Sequence, residues 1–339
     1  MRILFYGTPA FALPTLRGLV GRHTVVAAVT QPDRPAGRGQ RIEASPVKEA
    51  AMRAGLPVVQ PVRLRDPGWA DRLATFAPDV AVVVAFGQIL PRDVLAVPRR
   101  GSINVHASLL PRYRGAAPIA CAITRGEEET GITTFLMDEG LDTGPILRQR
   151  ALAIEPDETA GELASRLAEV GAALLLETLD RLDRLEPRPQ DHTAATLAPR
   201  LRKGDGVLDW RRPARELVNL VRGLNPWPGA VTQGPTGRLV VWRARVAAGS
   251  GEPGMLVTTD GSLAIATGGD LLQPVLVQAE SRKVMTWDAY LLGARLGPGA
   301  ALGVQPEGAS TAPSGASPRG DGGGTAAARS GTLRHRGQG

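Results

Sequence analysis

The chain has 339 residues, of which 43% are hydrophobic, and a formal net charge of +7. This size allows two domains with sizeable cores, and the charge favours a polyanionic partner. Its single cysteine, Cys121, excludes an intrachain disulfide and a thiolate metal cluster. Apolar runs stay short of the roughly 18 residues that a membrane span needs, so we expect a cytoplasmic protein with no membrane partner.

The first 189 residues alternate short apolar runs with helical stretches. Strands are predicted at 3–6, 24–30, 79–85, 102–106, 133–137 and 146–154, and helices at 11–20, 46–54, 67–76 and 159–185. The run Val-Ala-Val-Val-Val-Ala at 80–85 is apolar on both faces, which is typical of a parallel strand covered by helices on each side. The pattern predicts an α/β fold whose first domain is doubly wound and Rossmann-like.

The turn after the first predicted strand argues against two common enzyme classes. A glycine, Gly7, follows the strand, but the motif Gly-x-Gly-x-x-Gly is absent, and no Walker loop occurs in the chain. Without a second glycine the backbone cannot close tightly on a pyrophosphate. A nicotinamide dehydrogenase and a P-loop enzyme are therefore disfavoured.

The second half predicts a linker, a small domain and a tail. Residues 190–203 have the composition of a linker, and 204–302 contain short strands at 239–246, 255–259, 262–267 and 275–278 with one helix at 212–223. Such strands are typical of a small β-barrel. From 303 to 339 the chain offers little apolar surface to bury, and we expect it to be disordered.

The positive charge is concentrated rather than spread. Between 200 and 245, ten arginines and lysines stand against three acidic residues, so this segment alone carries a net charge of +7. A nucleic-acid partner requires such a concentration, although a solvated basic face explains the charge equally well.

Polar side chains end one predicted strand and fill one Gly-rich turn. Asn104 and His106 are two residues apart on a strand, so both face the same side, at the carboxyl end where open α/β sheets bind ligands. An amide beside an imidazole suits an oxyanion donor beside a proton carrier, but satisfied polar residues also end strands. Asp138 and Glu139 fit ordinary turn chemistry, whereas the pattern gives no preference for Asp142.

Longer motifs resemble the methionyl-tRNA formyltransferase family. The segments 104–106, 108–115 and 140–144 are similar to active-site signatures of folate-dependent formyltransferases, and 31–39, 45–48, 116–118 and 225–229 resemble the tRNA-directed members. The resemblance extends from Arg2 to Leu302. It implies a Rossmann-like formyltransferase domain at 1–189, a linker at 190–203 and an OB-like β-barrel that binds tRNA at 204–302.

The resemblance also implies roles for particular residues. Asn104, His106 and Asp142 correspond to the catalytic trio, which moves a formyl group from 10-formyltetrahydrofolate to the α-amino group of methionyl-initiator tRNA. The folate is expected at Ser108, Leu109, Leu110 and Pro111 and at the pterin-pocket segment Phe86, Gly87, Gln88 and Ile89. The tRNA is expected at Arg38 and Arg41 of a basic loop and at Lys203 and Arg211. No metal is expected, and a monomer is the default.

Several alternatives remain open at this stage. By composition, the loop 31–45 is equally consistent with a solvated loop, and Gly87 taken singly needs only a strand-to-helix turn. The segment 225–229 is expected to form a turn that buries Trp227 rather than one that offers it to a base. For the whole chain, the rivals are a formyltransferase for a small amino-nucleotide or amino sugar and a non-catalytic RNA-binding protein.

Overall fold

The computed structural model describes residues 1–36 and 41–303. The helices are α1 Leu13–Val20, α2 Pro46–Arg53, α3 Trp69–Ala74, α4 Arg92–Leu95, α5 Pro118–Thr124, α6 Ala160–Asp180, α7 Ala214–Gly223 and α8 Trp287–Ala294. The strands are β1 Arg2–Gly7, β2 Thr24–Val29, β3 Arg34–Ala36, β4 Arg41–Glu43, β5 Val58–Val59, β6 Val80–Val84, β7 Ser102–His106, β8 Arg114–Gly115, β9 Glu129–Leu136, β10 Ile146–Ala153, β11 Leu197–Ala198, β12 Ala230–Gly234, β13 Gly237–Ala247, β14 Leu256–Thr259, β15 Ser262–Ala266, β16 Leu271–Ala279 and β17 Met285–Thr286.

A seven-stranded sheet in the order β10-β9-β7-β6-β1-β2-β5 forms the first domain. Five neighbouring strands, β7, β6, β1, β2 and β5, pair in parallel, whereas β9 and β10 extend the sheet in antiparallel pairing. Along β1, Ile3 and Phe5 pack into the core on one face, and Leu4 and Tyr6 pack into the core on the other. Burial on both faces is what a parallel strand between two helical layers requires, so the predicted α/β fold class is confirmed.

The long helix α6 begins as the sequence indicates but ends earlier. Thr159 caps it through a capping box, accepting from the Glu162 backbone N–H while the Glu162 carboxylate accepts from the Thr159 N–H. The helix stops at Asp180, five residues before the predicted end, and a 3₁₀ turn follows. Leu182 and Leu185 still pack against the core from that turn, which explains why the apolar pattern predicted a longer helix.

Six strands and two helices form the second domain. The sheet order is β12-β13-β16-β15-β14, with β17 paired to β16. Residues 300–303 connect its two edges through backbone hydrogen bonds: Leu302 N–H donates to Gly254 O at 2.9 Å, and Gly303 N–H donates to Gln233 O at 2.8 Å. A core that includes Trp210, Leu217 and Trp287 fills the interior, as expected for an OB-like barrel.

The barrel is attached to the beginning of α6. The Arg222 guanidinium donates to the carbonyl oxygens of Glu155 and Glu158, and Arg243 pairs with Glu162. Arg222 is half-buried, and this burial lowers the pKa of its guanidinium. The segment predicted to be a linker also packs on the first domain, because β11 pairs in parallel with β8. Over the described residues, every helix is too short or too polar to cross a membrane.

Candidate active site

Asn104 and His106 lie on β7, an interior strand of the sheet. Asn104 stands opposite Val83 of β6 and Phe135 of β9, and His106 stands opposite Thr133. His106 is buried with 7% of its surface exposed, whereas Asn104 is half-buried. The amide and the imidazole therefore share one face, as the spacing predicts.

Tyr113 fixes the orientation of the His106 ring. The His106 Nε2 lies 2.8 Å from the Tyr113 carbonyl oxygen. A carbonyl oxygen only accepts, so Nε2 carries the hydrogen, and Nδ1 is the nitrogen left for chemistry. Tyr113 holds a left-handed backbone conformation, with φ 61°, that aims its carbonyl at the ring. Burial, together with a hydrogen bond to Glu127, raises the pKa of its phenol, which therefore stays protonated.

Asp142 approaches the free nitrogen of this ring. Its Oδ2 lies 3.6 Å from His106 Nδ1, and the Asp142 side chain is 12% exposed. That distance suits an ion pair but is too long for a hydrogen bond. The same Oδ2 accepts the Gly115 backbone N–H at 2.8 Å. The structure therefore brings together the three side chains that the sequence predicts.

The other two acidic groups of the Asp142 loop have separate partners. Asp138 Oδ1 accepts from the Gly140 N–H at 3.0 Å and the Thr143 hydroxyl at 2.6 Å, which confirms its predicted role in the turn. Glu139 pairs on the surface with Arg92, at 3.3 Å. In the part of the chain that the structure describes, no three His, Cys, Asp or Glu side chains are grouped to hold a metal ion.

The two predicted folate segments differ in what they offer a ligand. Ser108 is fully buried, and its hydroxyl donates to Arg112 O at 2.6 Å, so its side chain stabilises the loop 108–112. The next residues, Leu109, Leu110 and Pro111, turn through a cis peptide between Leu110 and Pro111.

The segment after β6 combines engaged polar groups with an exposed apolar side chain. Phe86 is buried, and its carbonyl accepts from Thr8 and Gln31. The Gln88 amide bonds the backbone at Leu64 and Pro61, whereas Ile89 is 84% exposed. Gly87 takes the left-handed conformation, φ 82°, at which a side chain would be strained.

Two motifs of the predicted RNA loop meet at its base. Lys48 Nζ lies 2.5 Å from Asp33 Oδ2, and Gln60 donates to the other carboxylate oxygen. These hydrogen bonds lower the pKa of the Asp33 carboxyl. Arg41 begins β4, which pairs with β3 in a hairpin, while Arg38 lies outside the described residues.

The remaining predicted RNA contacts lie near the barrel. Lys203 is exposed and lines a cleft of about 660 Å³ together with Pro199, Arg200, Leu201, Arg202, Asp205 and Trp227. Trp227 is 52% exposed, so the expectation that its indole is buried was wrong. Its neighbours Pro226 and Pro228 both follow cis peptides in a tight turn that leaves the ring outside the core. Arg211 donates to Asp209 through Nε and Nη2, each at 2.8 Å, and lowers the pKa of that carboxyl to about 2.

Sequence reasoning missed two buried residues behind the Asp142 loop. Arg114 and Gln190 are each 6% exposed and hydrogen-bond to each other. Gln190 in turn donates to the backbone of the loop, at Asp142 O and Gly144 O. Arg114 lies within a recognised motif, but nothing in the composition around Gln190 distinguishes it from a linker residue.

Comparison with known proteins agrees with this geometry. The formyl transferase family matches residues 1–179, and the family described as formyl transferase, C-terminal domain, matches 200–295. A methionyl-tRNA formyltransferase of Citrifermentans bemidjiense is 49% identical over 308 residues, covering 89% of this chain and 96% of that relative.

Two solved structures share the fold at low sequence identity. A methionyl-tRNA formyltransferase from Clostridium thermocellum aligns with a TM-score of 0.53 and 17% identity, over 80% of this chain and 99% of that one. HypX from Aquifex aeolicus, in complex with tetrahydrofolic acid, aligns with a TM-score of 0.58 and 18% identity over 88% of this chain. The present chain spans about half of HypX, 48% of its length.

Proposed function

Because this chain belongs to the methionyl-tRNA formyltransferases, within the formyl transferase family, we propose that Asn104, His106 and Asp142 are its catalytic groups. The reaction moves a formyl group onto the α-amino group of methionine esterified to initiator tRNA. The observation that carries this assignment is the approach of Asp142 Oδ2 to His106 Nδ1, 3.6 Å apart on the same strand face as the Asn104 amide.

Each group has a chemical role that follows from its partners. As the methionyl amine attacks the formyl carbon, negative charge develops on the formyl oxygen, and the Asn104 amide and a protonated His106 stabilise it. The Asp142 carboxylate accepts the proton released by the amine. When the tetrahedral intermediate collapses, the bond between the formyl carbon and N10 breaks, and N10 of the departing tetrahydrofolate takes up that proton. The Tyr113 carbonyl keeps Nε2 occupied, so the proton exchange takes place at Nδ1.

The donor that we propose is 10-formyltetrahydrofolate, which supplies the formyl group. The segment 86–89 fits its flat pterin, because its one polar side chain, Gln88, is engaged with the scaffold while Ile89 stays exposed. Leu141, next to Asp142, is 60% exposed and offers a second apolar surface. A buried heteroaromatic is bound by such apolar walls and backbone groups. Folate ligands in a HypX structure of the same fold support this assignment.

We assign tRNA binding to the loop with Arg38 and Arg41 and to the cleft with Lys203 and Trp227. The Asp33–Lys48 pair holds the base of the loop, and the positive charge of arginine suits contact with the phosphates of RNA. An exposed indole beside cationic side chains can stack on an unpaired base. Arg211 contributes less, since Asp209 already neutralises it. A cytoplasmic monomer is sufficient for this proposal, because one chain supplies all three catalytic groups.

The test is a formylation assay with the full chain. Incubation with 10-formyltetrahydrofolate and methionyl-initiator tRNA should block the methionyl amine, which mass spectrometry of the released amino acid detects. Glycinamide ribonucleotide and a nucleotide-linked amino sugar serve as alternative acceptors and should remain unmodified. Transfer to either small acceptor in preference to tRNA would overturn the tRNA assignment, and RNA binding without any transfer would overturn the enzymatic one.

A further inference from the structure

A segment predicted to be a linker lies directly behind the catalytic groups. Residues 190–198, which we call the strap, connect the first domain to the basic stretch before the barrel. The strap ends in β11, whose Leu197 and Ala198 pair with Arg114 and Gly115. It therefore contacts the turn that supplies partners to both His106 and Asp142.

The first anchor of the strap is Gln190. Its amide nitrogen donates to Asp142 O at 2.9 Å and to Gly144 O at 2.7 Å. Its amide oxygen accepts two hydrogen bonds from the Arg114 guanidinium, at 3.1 and 2.6 Å. Asp142 has φ 53°, a left-handed conformation that is costly for a residue with a side chain. The two donated bonds hold the loop in that conformation.

The second anchor is Thr196. Its hydroxyl oxygen accepts the Tyr113 N–H at 2.8 Å, and its carbonyl accepts the Arg114 N–H at 2.8 Å. Tyr113 is itself left-handed, and its carbonyl is the group that fixes His106. Thr196 thus stabilises Tyr113, the partner of the His106 imidazole, and Gln190 stabilises the backbone of Asp142.

We propose that Gln190 and Thr196 are positioning residues, through which the strap sets the distance and orientation between His106 and Asp142. This inference rests on the proposed function of those two groups. The strap continues into Arg200, Arg202 and Lys203, so the same nine residues join the catalytic pair to the proposed RNA cleft. Even small displacements of His106 or Asp142 would lower turnover, because reacting groups must be held in near-attack geometry.

A purely structural role makes a different prediction. Arg114 is buried, and within the described chain no carboxylate pairs with it, so Gln190 is also its main hydrogen-bond acceptor. If satisfying that guanidinium were the whole role, any acceptor at 190 would suffice. If holding the Asp142 loop is the role, the two N–H donors are indispensable.

Two substitutions at Gln190 separate these roles. Gln190→Met removes donors and acceptor, whereas Gln190→Glu removes the donors, keeps an acceptor for Arg114 and adds a negative charge that the Arg114 guanidinium faces. We expect Gln190→Glu to recover the thermal stability lost in Gln190→Met, while kcat remains about 10- to 100-fold below wild type in both, with KM for folate and tRNA unchanged. Wild-type kcat in Gln190→Glu would overturn the inference.

Thr196 provides an independent arm. Thr196→Val removes the hydroxyl acceptor and should lower kcat, and Thr196→Ser restores the hydroxyl and should restore kcat. For Gln190→Glu, the matched control is Gln273→Glu in the barrel. Gln273 is also buried, with 8% exposed, and accepts from an arginine, Arg245, at 2.9 Å, but it does not touch the catalytic loop. Its kcat should be unchanged. Equal losses in Thr196→Val and Thr196→Ser would contradict the proposed role of Thr196.

A readout that does not depend on turnover keeps the two proposals apart. The ring ¹⁵N resonances of His106 should change in both Gln190 variants and stay at wild-type positions in Gln273→Glu. A wild-type protein that transfers no formyl group refutes the proposed function, while the His106 spectra still test the strap. Unchanged His106 resonances in both Gln190 variants refute the strap alone.

Discussion

The catalytic crevice and the basic surface near the barrel are built on opposite principles. In the crevice, the His106 Nε2 has a carbonyl partner at 2.8 Å and the Asp142 carboxylate accepts a backbone N–H at the same distance. On the basic surface, Lys203 and Trp227 are exposed, and Arg211 is held by Asp209 two residues away.

This contrast separates what each region contributes to activity. Groups held by fixed, buried partners lose no orientation when the reaction proceeds, so their removal lowers turnover. Exposed charges attract a polyanion through screened interactions, so their removal lowers affinity in a salt-dependent way. The comparison predicts effects on kcat in the crevice and effects on KM at the surface.

The largest effect is expected from the catalytic groups themselves. Asn104→Ala, His106→Ala and Asp142→Ala should each lower kcat by about 10²–10³, since each removes a group that stabilises developing charge or moves a proton. Asp142→Asn keeps the acceptor for Gly115 and removes only the charge, and it should lose a similar factor. The measurement is steady-state formylation of methionyl-initiator tRNA.

A substitution in the same loop provides the control. Glu139 is two-thirds exposed and pairs with Arg92 on the surface, so Glu139→Ala should retain near-native kcat. If Asp142→Ala behaves like Glu139→Ala, then Asp142 is not part of the catalytic machinery. The crevice would then no longer differ from an ordinary turn.

A smaller effect on turnover is expected from the backbone that holds Asp142. Gly115 has φ 118°, and an added Cβ would lie 2.7 Å from the Ala198 carbonyl oxygen. Gly115→Ala must displace the N–H that bonds Asp142, so we expect kcat to fall about tenfold, with a stability loss of about 1–3 kcal/mol. Thermal unfolding and steady-state kinetics measure the two effects.

A control substitution at Gly55 separates the effect of backbone strain from the displacement of the Gly115 N–H that bonds Asp142. Gly55 also has a positive φ, 67°, but open space surrounds its Cβ position. Gly55→Ala should therefore cost stability through strain while kcat stays at the wild-type value. An equal loss of kcat in both variants would show that turnover follows global stability rather than the position of Asp142.

On the basic surface, the expected effects are smaller and depend on salt. Lys203→Ala should raise KM for tRNA several-fold and reduce the slope of log KM against log salt by about 1, as expected for the loss of one phosphate contact. Arg211→Ala should change the KM and the salt slope less, because Asp209 already accepts from two of the three guanidinium nitrogens. Neither should alter kcat. A larger effect at Arg211 than at Lys203 would reverse this assignment.

The sequence indicated the proposed catalytic groups more directly than the residues that support them. Asn104 and His106 share a strand face by simple alternation, and Asp142 was found through a motif. The pairing of Leu136 with Ile103 places the end of β9 at the start of β7, so the following loop must return along the sheet for Asp142 to meet His106. No local pattern encodes that return, nor the contact of Gln190 with it.

In the fold, too, the elements that were predicted have a clear local sequence pattern, and those that were missed do not. The strands β1, β2 and β6 were predicted because continuous apolar runs mark burial on both faces. The strand β12 was missed because its sequence, Ala-Val-Thr-Gln-Gly, is short and half polar, and the pairing with β13 is what makes it a strand. The helix α8 was missed because it is only eight residues long and its exposed apolar Leu292 obscures the helical spacing of the buried Trp287, Tyr290 and Leu291.

The smallest effect is expected from shortening the chain after Gly303. The removed residues, 304–339, are mostly Gly, Ala, Ser, Thr, Pro and Arg, and their composition provides little apolar surface for a core. The protein ending at Gly303 keeps the backbone hydrogen bonds from Leu302 to Gly254 and from Gly303 to Gln233, so kcat, KM and thermal stability should match the full chain.

Removing four further residues, 300–303, is expected to destabilise the barrel. Ending the chain at Gly299 removes both of those bonds and the bond from Leu256 N–H to Ala300 O, and it removes Leu302, which is 2% exposed, from the barrel core. Burying a leucine contributes about 1.5–3 kcal/mol, so the Gly299 variant should unfold at a lower temperature. Equal unfolding temperatures for the two shortened proteins would mean that residues 300–303 do not close the barrel. A loss of formylation in the Gly303 variant would instead assign a role to the tail.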